Sequence, residues 1–203
     1  MPKNYNRASK IDAGFMEFND DQMNHKLFRC IVNGEYINIS EQVDSTLPPN
    51  MLCLRFGNEP SFKIALVDDY SRRILYYIDC VTKLDICIGD TNATQVLLWR
   101  TSDVRHRPIT SGFADKVFEY LLDEHSIVAS NIYQTSEGRD FWVRQLGYSL
   151  AKGLYVYRYE VISCKKTRIT DHACIRNNSV DLWGDEDKYS DILAVISKIE
   201  LDT

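Results

Sequence analysis

No run in this 203-residue sequence approaches the roughly 18 consecutive apolar residues that a membrane-crossing helix needs. The opening residues, MPKNYNRASK, hold no apolar core of the secretory type, so a cytoplasmic chain is expected. Six cysteines occur, at 30, 53, 80, 87, 164 and 174, without a CxxC pair. Reduced thiols are therefore expected rather than a disulfide framework. Cys164, His172 and Cys174 form the one metal-like grouping. It lacks the fourth ligand and tighter spacing of a zinc site, so no metal is expected. There is no Walker loop, no HExxH and no Ser–His–Asp order, and the four histidines are scattered. Internal repeats and low-complexity stretches are also missing.

What remains is an ordinary globular composition, 44 % apolar and 26 % charged, enough for one domain with a sizeable core. The charge is unevenly placed. Residues 181–203 hold seven acids and two lysines, which accounts for the whole formal charge of −5. An acidic tail on a neutral body argues against nucleic acid as a partner, because phosphate binding needs a basic surface. Small basic spots remain at Arg72–Arg73, at residues 105–107 and at residues 165–168. Each has the chemistry to hold a phosphate group, although such spots are more often solvated surface.

Strand signals crowd the first half after a polar stretch over residues 1–20 that reads as a loose arm or a short helix. FRCIVNGEYINIS reads as a hairpin turning at Asn33-Gly34. MLCLRF, FKIALVD, RRILYYIDCVTKL and ATQVLLWRTS follow as strands of an antiparallel meander. The period then changes. Phe113, Val117 and Leu121 recur at helical spacing beside Ala114, Phe118 and Leu122. SIVAS is a short strand, 137–152 a second helix stopped by Gly153, and LYVYRYEVI a further strand. Parallel pairing is expected between the strands that flank each helix. Residues 164–184 read as loop. Residues 186–200 read as an amphipathic helix through Tyr189, Ile192, Leu193, Ile196 and Ile199. Its apolar face needs a docking site: the chain's own sheet, a second copy to give a homodimer, or a foreign partner.

The segment from Thr94 to Tyr148, about a quarter of the chain, resembles the GNAT acyltransferases. The shared order is a meander, a long strand, a basic glycine-containing turn, a helix, a strand, a helix and a strand. The family's turn carries Arg/Gln-x-x-Gly-x-Gly/Ala, whose backbone amides hold the pyrophosphate of coenzyme A. In RHRPITSGFA, Gly112 and Ala114 match the final Gly-x-Ala. Arg107 stands five residues before Gly112, and Ile109 holds the position three before it that the family gives to Arg or Gln. GRDFWVRQLGY echoes the family's Ala-x-x-Leu-Tyr-x-x-Leu-Gly-Phe with one extra residue. The run SNIYQTSEGRDFW is also similar to small GNAT-like proteins of tailed bacteriophages, through Ser130, Gln134, Thr135, Gly138 and Trp142.

The resemblance implies an α/β fold with a mixed, mainly antiparallel sheet, helices on both faces and an appended C-terminal helix. It divides the chain into an arm (1–20), a GNAT-like domain (21–163) and a loop with an acidic tail helix (164–203). It implies acetyl-CoA as co-substrate and an amine of a protein or small molecule as acceptor. Arg105, Arg107, Ser111, Gly112 and Phe113 are the expected coenzyme-binding residues. A plain helix start is the competing reading of the same turn. Many members protonate the leaving thiolate with a tyrosine. Trp142 stands there instead, which leaves Tyr133 and Tyr148 as candidate acids. Asp79, Asp85 and Asp103 are candidate bases. Thr135 or Ser136 caps the second helix, and Asn131, Gln134 and Thr135 are candidate contacts to substrate or partner. The altered signature, the tryptophan and the acidic tail helix also fit a second expectation, a catalytically weak GNAT-shaped protein that binds a host protein.

Overall fold

The computed structural model describes residues 15–83, 86, 88, 91–130, 136–183 and 191–202. Their architecture is α/β, with nine strands in one mixed sheet of order β1-β2-β3-β4-β5-β6-β9-β7-β8. The chain divides into two compact units, and β5 (Asn92–Arg100) contributes its first residues to one and its later residues to the other.

The N-terminal unit comprises the described residues within 9–82 and 96–120. After a helical stretch at 15–19, α1 (Asp21–Val32) is capped by Asp20, whose side chain accepts from the Met23 N–H. The buried face of α1 carries Asn24, Phe28 and Ile31, which recur at i, i+4 and i+7. Next come β1 (Ile37–Asn38), α2 (Ser40–Asp44), β2 (Met51–Asn58), β3 (Ser61–Asp68) and β4 (Arg73–Thr82). All their described pairings are antiparallel. α1 and the helical stretch before it pack on the sheet through Phe18, Phe28, Ile31, Leu54, Val67, Ile74 and Trp99.

One polar residue lies inside this core. The Asn24 side-chain amide donates to the Phe18 and Ile74 carbonyls, both at 3.0 Å, and accepts from the Ile74 N–H at 2.8 Å. The β3–β4 ladder shifts register between Leu66 and Val67, opposite this point. Asn24 thus supplies the hydrogen bonds of Ile74 where the ladder steps.

The C-terminal unit comprises the described residues within 83–95 and 121–203. β5 pairs in parallel with β6 (His125–Ser130) from Asn92–His125 to Gln95–Val128, and β5 then runs on to Arg100. α5 (Ser136–Ala151) leads to β7 (Tyr155–Glu160), β8 (Lys165–Ile169), α6 (His172–Asn177), α7 (Ser179–Trp183) and β9 (Ile192–Ser197). Val128, Tyr157, Tyr159, Leu193, Val195 and Leu201 belong to its core, and the Tyr157 hydroxyl accepts from the Leu201 N–H at 3.0 Å.

Four expectations are corrected. The hairpin at Asn33-Gly34 is the C-terminus of α1: Asn33 is the C-cap and the Gly34 N–H donates to the Ile31 carbonyl. Residues 165–183 are a strand and two short helices rather than a loop; the Asp171 carboxylate caps α6 by accepting from the Cys174 N–H at 2.7 Å. The appended C-terminal helix is absent over 192–197, where the chain is strand β9 with all six residues buried. Last, β6 and β7 do not pair. β9 lies between them, antiparallel to both, and only β5–β6 gives the expected parallel ladder. A strand bonded on both edges and covered on both faces needs an unbroken apolar run, and ILAVIS supplies it.

Candidate functional site

The turn that joins β5 to α4 (Phe113–Leu121) gathers the five expected coenzyme-binding residues by chain continuity. A 3-10 turn (Val104–His106) runs into one helical turn, α3 (Arg107–Thr110), with Pro108 in its first positions. The Asp103 carboxylate organises the start. It accepts from the Arg105 backbone N–H at 3.0 Å and clamps the same guanidinium, with Nε–Oδ1 at 3.0 Å and Nη2–Oδ2 at 2.6 Å. The hydrogen bonds from Arg105 hold the Asp103 carboxyl well below the usual carboxylate range. Asp103 is therefore committed to Arg105 rather than poised as a base. Asp79, another candidate base, faces Lys63 at 3.6 Å; Asp85 lies outside the described residues.

The end of the turn is more open. Ser111 caps α3 and spends its N–H on the Arg107 carbonyl at 2.9 Å. Gly112 has φ +73°, the left-handed region that glycine enters without cost. A Cβ there would meet nothing nearer than Asp115 Oδ2, at 3.9 Å. The backbone is thus open to an approaching group at the start of α4, where the first N–H groups have no partner within the helix. Phe113 is buried and packs its ring 5.3 Å from that of Tyr76, so its side chain anchors the helix and leaves only its N–H for binding. Arg107 is exposed and has no ion pair among the described residues. Asp115, in the first turn of α4, works the other way: a carboxylate there competes with any bound anion. Its role was not anticipated from the sequence, although its place one residue past the Gly-x-Ala match signals it.

Tyr148 belongs to the C-terminal unit, half exposed on α5. Trp142 is buried on the same helix, its ring edge-on to Phe141 at 5.4 Å. A Cβ at Gly147 would come within 2.5 Å of the ring of His172, an exposed side chain that would have to turn aside. Asn131, Tyr133, Gln134 and Thr135 lie outside the described residues.

Among the described residues no three His, Cys, Asp or Glu side chains converge as a metal site, and no helix is long and apolar enough to cross a membrane. Compared with known proteins, the chain matches no family model, no curated protein and no solved structure.

Proposed function

We propose that the protein binds an acyl-CoA thioester at the 105–114 turn and transfers the acyl group to an amine, on a GNAT-like scaffold. The observation that carries this reading is the β5–turn–α4–β6 crossover. Its two strands pair in parallel, and its turn presents Gly112 at φ +73° close in sequence to Arg107, which has no ion pair among the described residues. A diphosphate needs several N–H donors at close range and a nearby positive charge. The N–H groups of Gly112, Phe113 and Ala114 and the guanidinium of Arg107 meet that need. A backbone N–H of β5 beyond Gln95 is the expected donor to the thioester carbonyl as negative charge develops on its oxygen. The amine attacks that carbon and gives up its proton to solvent water, the C–S bond breaks, and the departing thiolate takes up a proton from water.

A second reading is a GNAT-shaped protein that binds a host protein, as a bacteriophage modulator does, with little or no catalysis. The specific observation in its favour is the carboxylate pair at the turn: Asp103 takes up Arg105, and Asp115 stands at the helix start. The buried Trp142 in place of a proton donor agrees with it.

Release of free thiol from acetyl-CoA, measured against a panel of primary amines and lysine peptides, separates the readings. Turnover that is lost in Gly112→Asp supports acyl transfer. Absence of both acetyl-CoA binding and thiol release supports the interaction protein.

A further inference from the structure

The acyl-transfer reading leaves one basic feature unused. The exposed face of α1 carries Gln22, His25, Lys26 and Arg29, at i, i+3, i+4 and i+7, opposite the buried face of Asn24, Phe28 and Ile31. With Asp21, and with Ser71 and Arg73 from the β3–β4 turn, these side chains line an open groove of about 500 Å³.

Its walls are held in place. Asp68 accepts from the Asn50 side chain at 2.8 Å, the Tyr70 N–H at 3.0 Å and the Ser71 hydroxyl at 2.7 Å. Arg72 is left-handed, at φ +55°. Its carbonyl lies 3.1 Å from His25 Nδ1. A carbonyl only accepts, so Nδ1 carries the proton and Nε2 is the nitrogen left to act in the groove. Arg73 is paired with Asp21. Lys26 and Arg29 have no ion pair among the described residues. Like charges three residues apart on a helix repel. Arg29, in the last turn, is favoured by the helix dipole, but Lys26 in the middle of the helix has no such compensation.

We propose that this groove binds a small polyphosphate, of the inorganic or nucleoside polyphosphate class. Two cations without ion pairs among the described residues, a third held by one replaceable carboxylate, an imidazole and an amide form a donor-rich surface that suits adjacent phosphoryl groups. A groove of this size is in the range of small-molecule sites. Nucleic acid fits less well, because three cations on a chain of net charge −5 offer few phosphate contacts. The proposal stands apart from the acyl-transfer reading, since it uses none of residues 105–114.

The test is calorimetric titration with sodium tripolyphosphate. The wild type should bind it saturably. Lys26→Ala with Arg29→Ala should weaken binding about tenfold or more, as expected for lost charged hydrogen bonds. Both positions are exposed and alanine favours helix, so an unchanged circular dichroism spectrum is expected. Asp21→Asn frees Arg73 and should tighten binding several-fold, which a merely structural groove does not predict. In the Arg107→Ala with Gly112→Asp background, which removes the diphosphate contacts proposed at the 105–114 turn, the groove should still bind one tripolyphosphate per chain. No heat with millimolar tripolyphosphate, equal affinity in the double variant, or weaker binding by Asp21→Asn each overturns the proposal. Tighter binding of single-stranded DNA with a steep salt dependence overturns it in favour of nucleic acid.

Discussion

Asn24→Ala should be among the most damaging single substitutions in the chain. The side chain is 1 % exposed and makes three hydrogen bonds to backbone groups. Alanine removes all three and leaves the Ile74 N–H, the Ile74 carbonyl and the Phe18 carbonyl without these partners in an apolar core. An orphaned buried group costs on the order of 1–3 kcal/mol, and the N–H is the least tolerant of the three, so a loss of roughly 3–4 kcal/mol is expected. Urea unfolding reads this directly. With a slope of about 2 kcal/mol/M, the midpoint should fall by about 1.5–2 M at unchanged slope. Asn24→Asp should be no better, because a carboxylate cannot donate to two carbonyls and its charge is buried. The α1 face that carries Lys26 and Arg29 should loosen with it, so tripolyphosphate affinity should fall alongside stability. A midpoint shift below about 0.3 M, less than one net hydrogen bond is worth, would refute the assignment of Asn24 as the group that completes the stepped ladder.

Trp142→Ala should cost roughly 3–5 kcal/mol by opening a cavity beneath α5, and a fully stable variant that lost only activity would contradict its role as an anchor. Deleting residues 191–203 removes the strand between β6 and β7, so the C-terminal unit should lose its cooperative unfolding transition; retention of that transition would show that β9 is dispensable. Burial pushes the carboxyl groups of Asp68 and Asp44 upward, but hydrogen bonds from Ser71 and Asn50 to the first, and from Lys116 and Thr46 to the second, outweigh it and hold both below the ordinary carboxylate value. Their contribution to stability is therefore present at neutral pH and lost as pH falls below that ordinary value and through the folded-state values. Asp68→Asn should flatten this acid limb in a pH series of thermal midpoints, and an unchanged limb would contradict the sign.

The strands from Met51 to Arg100 were legible because each is a short apolar run bounded by turn residues, and α4 because Phe113, Val117 and Leu121 keep a clear helical period. Asn33-Gly34 misled for a physical reason: the residue types that favour a hairpin turn also end helices, and α1 hid behind that signal. Its spacing of Asn24, Phe28 and Ile31 was present in the sequence. ILAVIS was ambiguous in kind. A strand buried on both faces shows no alternation, so its apolar positions also fit a helical period. At the candidate site the glycine was legible, since its neighbours and the following helix mark a turn. The pairing of Asp103 with Arg105 was not. It depends on a 3-10 turn that folds the side chains of residues two apart together, and composition at 105–107 suggests only free positive charge.

The central claim is that the 105–114 turn holds the diphosphate of a coenzyme A thioester. Calorimetric titration of acetyl-CoA into the wild type and into Arg107→Ala with Gly112→Asp tests it most directly. Arg107 is exposed and a side chain at 112 meets open space; the left-handed φ of +73° costs an L residue about 1–2 kcal/mol, small beside the stability of a domain, so the paired variant should stay folded while losing charge and gaining an obstruction. Saturable binding of one acetyl-CoA per chain, abolished in the variant, is the predicted result. No heat with millimolar acetyl-CoA, or equal affinity in the two proteins, would contradict the claim.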